Sequence, residues 1–159
     1  MMSPAALRTM PKGASAFRSE SLANRHGTLL SEKSTSVVDA NAIVSLLLGG
    51  ERAHYRQSQE FFEPVREGTA LAYVPAAVVA ECVHVLSRIY KVTRADIAAK
   101  LLGLLDYRGV ITESPAVRHA LTLYRDRNVD FVDALVAATA AERNWRVFSF
   151  DRDLERLAK

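Results

Sequence analysis

Residues 71–90 read LAYVPAAVVAECVHVLSRIY, and their hydrophobic period changes at a proline. Leu71 to Val74 is an apolar run of strand length, and Pro75 stops it. From Ala76 to Tyr90 the apolar residues return at helical spacing, which predicts a helix. A strand, a breaker and a helix make half of a βαβ unit, and the alternation continues on both sides. Upstream, Val37 and Val38 form a first strand leading into Asp39, and residues 51–67 read as a helix. Downstream, residues 93–107 read as a helix with Thr93 as N-cap and Asp96 placed for a capping box. Val110 and Ile111 form a short strand, and Ser114 and Pro115 open a helix that runs to about Arg127. Residues 130–144 read as an Ala-rich helix, 146–150 as a fourth strand and 151–159 as a terminal helix. Strands alternating with helices predict an α/β fold, with a central parallel sheet wrapped by helices.

The chain has 159 residues, of which 49% are hydrophobic, enough for one domain with a real core. No apolar run approaches the roughly 18 residues that span a membrane. The longest apolar-rich stretch, Leu71 to Leu86, is interrupted by Glu81 and His84. A single cysteine, Cys82, excludes an intramolecular disulfide and a cysteine-rich zinc site, and its valine and alanine neighbours predict a buried, inert thiol. A reducing, cytoplasmic compartment fits this usage. The net charge of +3 sits entirely in residues 1–35, which leaves residues 36–159 neutral. A nucleic-acid ligand would therefore be drawn by local patches or by metal ions rather than by an overall field. Residues 1–35, rich in Ser, Ala, Arg and Gly without apolar period, read as a disordered extension. Their composition also resembles an organellar transit peptide; a flexible tail or a misassigned start is the reading preferred here, because composition is a weak targeting signal.

In an open parallel sheet, sites form outside the carboxyl ends of the strands. Asp39 follows the first strand and Asp151 the last, so the two carboxylates are expected at one sheet edge. Glu81 lies within the helix after the second strand, and Asp133 near the start of the Ala-rich helix. Each has an ordinary explanation: Asp39 and Asp151 as helix caps, Asp130 and Asp133 as acids favoured by a helix dipole, Glu81 as part of a solvated face. Caps do not explain why several acids should gather on one edge. Clustered carboxylates raise one another's pKa and need a countercharge. Oxygen ligands suit Mg²⁺ or Mn²⁺, ions that activate water and neutralise charge on a phosphoryl group. The pattern points to metal-assisted phosphodiester hydrolysis.

These segments resemble the PIN-domain family and, within it, the VapC toxins of type II toxin–antitoxin systems. The matching pieces are residues 38–41 (VDAN), the helix carrying Glu81, residues 133–138 (DALVAA) and residues 148–151 (FSFD), over 36–159 of the chain. The resemblance implies a three-layer α/β/α sandwich and a Mg²⁺-dependent endoribonuclease. It further implies an RNA substrate, a cognate antitoxin that inserts a segment near the site, and a homodimer. By position, Asp39, Glu81, Asp133 and Asp151 match the family's metal-binding, catalytic acids. Asn41 and Ser149 match polar positions that hydrogen-bond around them, and Asp130 and Asp153 are auxiliary acids. Family members usually continue into a further short strand beyond the position of Lys159, so the resemblance leads us to expect an exposed sheet edge here.

Arg52, Arg56, Arg88 and Arg152 are candidate phosphate contacts, although surface arginines need no such role. Tyr55, Phe61, Phe62 and Val65 are core or dimer contacts, or part of a groove for an antitoxin helix. His54 and His84, with no partner motif, read as structural or surface residues. Two rivals remain open. A non-catalytic RNA- or protein-binding module of the same fold would keep the acids as caps. A phosphatase with an aspartate nucleophile would want a second Asp two residues after Asp39, where Asn41 stands.

Overall fold

The computed structural model describes residues 34–50 and 53–157. The extension read over residues 1–35 lies almost wholly outside them. Three short strands form one parallel sheet in the order β1 (Thr35–Val37), β2 (Leu71–Tyr73), β3 (Val110–Ile111). The register sets Thr35 opposite Leu71, Val37 opposite Tyr73, and Ala72 opposite Val110. Among the described residues the helices are α1 (Ala40–Leu48), α2 (Tyr55–Glu67), α3 (Ala76–Arg88), α4 (Arg94–Leu105), α5 (Ala116–Asp126), α6 (Phe131–Arg143) and α7 (Arg152–Leu157). Parallel neighbours need long crossovers; α1 and α2 supply the first and α3 and α4 the second. The chain is therefore an α/β protein with a parallel sheet, as its alternating pattern predicts. No described helix is long and apolar enough to cross a membrane.

The helix starts follow local chemistry. Thr93 Oγ1 accepts from the Asp96 backbone N–H at 3.2 Å, as an N-cap does, and donates to Asp96 Oδ2 at 2.7 Å, so the Asp96 carboxylate holds the capping hydroxyl rather than the Thr93 backbone N–H of a full capping box. α5 begins one residue after Pro115. Ser114 Oγ accepts from Ala116 N at 3.0 Å, and Glu142 Oε2 of α6 accepts from the same N–H and from the Ser114 hydroxyl. α3 starts behind Pro75, which carries no capping side chain. Its first N–H, at Ala76, is instead taken by both oxygens of Glu113, beyond β3, at 2.9 and 2.8 Å. Burying these helices' apolar faces forms one core, with Ile43, Phe62, Leu86, Leu101 and Leu121 at most 1% exposed. Of the aromatic set on α2, Phe62 and Val65 belong to this core, Tyr55 is half-buried and Phe61 is exposed.

The fourth strand expected over residues 146–150 does not form. Asn144 ends α6 in the left-handed conformation (φ 53°), and Trp145 N donates to Ala140 O at 2.9 Å. That turn lays residues 145–148 along α6, where they line an apolar hollow of about 400 Å³ with Leu135, Val136, Thr139 and Ala140. The alternation of Val147, Phe148, Ser149 and Phe150 is strand-like, but a strand needs an edge to bond to. Here Phe148 and Phe150 stand 87% and 95% exposed, and β1 stays at the edge of the sheet. With Val132, Val136 and Trp145 they leave an apolar strip facing solvent.

Candidate active site

Asp39 directly follows β1's register and serves as the N-cap of α1: its Oδ1 accepts from Ala42 N at 3.0 Å. One carboxylate oxygen is thus committed to the helix, and the other has no hydrogen-bond or ion-pair partner among the described residues. Asp39 also borders a hollow of about 280 Å³ with Asn41, Ala42, His54, Gln57, Ser58 and Phe61. The Asn41 side chain makes no hydrogen bond among the described residues, so the orienting contact expected of it is not formed in this structure. Glu81 is exposed on α3, the helix against which α1 packs. Its neighbour Cys82 is fully buried, and its thiol reaches Ala40 O at 3.8 Å. Burial, with the charges of Glu81 and Asp39, pushes that thiol up to about 12, so it is unreactive at neutral pH. Asp39 and Glu81 thus both lie within electrostatic reach of this thiol.

A second group gathers at the N-terminus of α6. Asp130 holds the N-cap position with extended backbone (φ −66°, ψ 150°), yet its side chain makes no capping bond. Its carboxylate instead lines a cleft between α3 and α6, together with Asp133. Asp133, half-buried in the first turn, has its pKa raised above the ordinary carboxylate range. Desolvation is the largest cause, followed by the charges of Asp130 and Asp151. Asp151 does not end a strand. It caps α7, with Oδ1 accepting from Asp153 N at 2.8 Å, while Ser149 Oγ accepts from Asp151 N at 2.9 Å. Ser149 thus fixes the backbone of Asp151 rather than its carboxylate. Asp153 is ion-paired to Arg156 on the surface.

The chain therefore brings the acids together as two sets, Asp39 with Glu81 and Asp130 with Asp133 and Asp151. α3 touches both α1 and α6. Among the described residues, no three of these side chains stand as a ready metal-binding cluster. None of the five has an ion-pair partner there, and neither do Glu67, Asp96, Glu113 and Glu155, whereas Glu60, Glu63, Asp106, Asp126, Glu142 and Asp153 do. Asp133, its pKa raised by desolvation first and then by the charges of Asp130 and Asp151, is the one of the five whose carboxylate would gain most from a nearby hard cation.

Of the arginines singled out from the sequence, Arg52 lies outside the described residues and Arg56 is bound to Glu60. Arg152 is exposed in α7, and Arg88 lines the α3–α6 cleft. Sequence reasoning missed Lys91 and Arg94 on the same cleft and Glu113 at the start of α3. The family model of the PIN domain matches residues 36–159. No curated protein matches the chain. PIN domains are nucleases as a class and generally use divalent metal ions.

Proposed function

The chain belongs to the PIN-domain family, and from that membership we propose that it is a Mg²⁺-dependent endoribonuclease, the toxin of a type II toxin–antitoxin pair. The observation that carries the reading is the placing of Asp130 and Asp133 on one cleft at the start of α6, with the pKa of Asp133 raised by desolvation first and then by the charges of Asp130 and Asp151. Asp39, Glu81 and Asp133 would hold the metal, with Asp151 completing the set and Asp130 adding charge beside it; Mn²⁺ would serve in place of Mg²⁺. When bound, the ion supplies neutralisation of charge on the phosphoryl group and activation of a water. The protein's own part is positioning. The α1 cap fixes Asp39, the α7 cap fixes Asp151, and the first turn of α6 holds Asp133 half-buried and partly desolvated.

The partners in this reading are RNA, a cognate antitoxin and a second copy of the chain. The apolar strip of Val132, Val136, Trp145, Phe148 and Phe150 supports a protein partner, because exposed apolar patches of this kind mark interaction surfaces. Cys82, buried and single, suits the cytoplasm. The second reading is a non-catalytic binding module. It is favoured by the use of Asp39 and Asp151 as caps and by the absence of a preformed cluster among the described residues.

The test offers the purified protein a mixed RNA pool, the matching DNA and a phosphomonoester, each with Mg²⁺ and with EDTA. The expected result is RNA cleavage with Mg²⁺ alone. RNA left intact in Mg²⁺ while the protein retains it on a column would favour the binding module. Release of phosphate from the monoester would overturn the assignment in favour of a phosphatase.

A further inference from the structure

The cleft between α3 and α6 has a volume of about 520 Å³, within the ~300–1,000 Å³ range of ligand sites. Its walls differ in charge. At one end lie Asp130 and Asp133 on the first turn of α6. Along the other wall lie His84 and Arg88 of α3, then Lys91 in the turn after it and Arg94 at the start of α4. These cations are not equivalent. Arg94 donates to the carbonyls of Tyr124 and Val129, and its guanidinium stacks 4.2 Å from the centre of the Tyr124 ring. It is a brace that ties α4 to the connection between α5 and α6. The side chains of Arg88 and Lys91 make no ion pair or hydrogen bond among the described residues.

Lys91 is also held in a conformation that lysine avoids. Its φ is 55°, in the left-handed region. The other described non-glycine residues with positive φ are Asn128 and Asn144, a residue type that tolerates it. A helix end of this kind normally takes glycine, because a side chain crowds the backbone in the left-handed region. Strain of this sort gathers at binding sites. Two unpaired cations, one on a strained turn, face the acids across a cleft of ligand size.

We propose that this cleft is the track of a single-stranded RNA backbone. Arg88 and Lys91 hold a phosphate next to the scissile one, and the cleft leads the strand onto Asp133. The inference rests on the nuclease reading for the identity of the strand but is tested without cleavage. Phosphate contacts of this kind position the strand and carry no base preference.

The experiment measures binding of a fluorescein-labelled single-stranded RNA by anisotropy, in EDTA and across a salt series. It compares the full chain with Arg88→Gln, with Lys91→Gly, and with both changes together. Arg88 and Lys91 share one phosphate contact, so the double variant should lower the slope of log affinity against log salt by about 0.7, the value of one contact on a single strand. Lys91→Gly should melt at or above the wild-type temperature, because glycine relieves the strained turn. Weaker binding with an undiminished melting temperature therefore excludes a folding defect. An unchanged slope in the double variant overturns the proposal, as does a wild-type chain that does not bind RNA at low salt. A wild-type chain that binds with the expected slope but never cleaves would contradict the nuclease reading and leave this one standing.

Discussion

Asp39→Asn should lower Mg²⁺-dependent RNA cleavage by at least about 100-fold and leave the melting temperature close to wild type. The metal's stabilisation of a phosphoryl transition state is worth several kcal/mol, at about 1.4 kcal/mol per decade of rate. Asparagine keeps the shape and the oxygen that accepts from Ala42 N, and Asn caps helices as well as Asp does. Asp39→Ala removes the cap as well, and should lose about 1 kcal/mol of stability besides the activity. The pair of variants separates the two jobs of this side chain. Cleavage rates from a gel time course and melting curves on the same protein preparations measure both. Cleavage by Asp39→Asn at the wild-type rate would mean that Asp39 is a cap and nothing more.

Gly109→Ala should destabilise the domain by about 3 kcal/mol or more, lowering the melting temperature by roughly 10 °C. Gly109 is buried at the start of β3, where its N–H donates to Val65 O at 2.9 Å and its carbonyl accepts from Ala72 N at 2.8 Å. A Cβ there would collide with the carbonyl oxygen of Ala70 and stand 2.8 Å from that of Val65. Both obstacles are backbone, one at the end of α2 and the other just before β2, so neither can yield without disturbing the sheet. Thermal melts of the variant measure the loss. A melting temperature within a degree or two of wild type would show that β3 can shift at little cost.

The parts of the fold that were legible are those decided by neighbours in sequence. Pro75 marks the break between β2 and α3, the Thr93 and Asp96 pair marks the start of α4, and Val110 with Ile111 suffices for a strand. Residues 146–150 were not legible, because their alternation is that of a strand while their fate depends on where the turn at Asn144 sends the chain. Glu113 was invisible for the same reason: its partner, Ala76 N, is 37 positions away. In the site, the acids could be picked out by residue type and order. Their division into two sets could not, since it arises from the packing of α1 and α6 on α3. Lys91 gives no composition signal. Only its backbone angle distinguishes it from an ordinary surface lysine.

The most direct test of the account is the melting temperature of wild type and Asp133→Asn, each in EDTA and in Mg²⁺. In EDTA, the Asp133 pKa is raised in the folded state, so its ionisation opposes folding. The stability associated with its protonated form is present below the ordinary Asp range, near pH 4, and is lost as pH rises through the raised value. Asp133→Asn should therefore melt higher than wild type at neutral pH, with the difference closing below the ordinary range. Adding Mg²⁺ should raise the wild-type melting temperature by mass action and leave the variant unmoved. That result would place a metal on these carboxylates. No Mg²⁺ shift in wild type, or an equal shift in both proteins, would contradict the claim that Asp133 and its neighbours form a metal-dependent nuclease site.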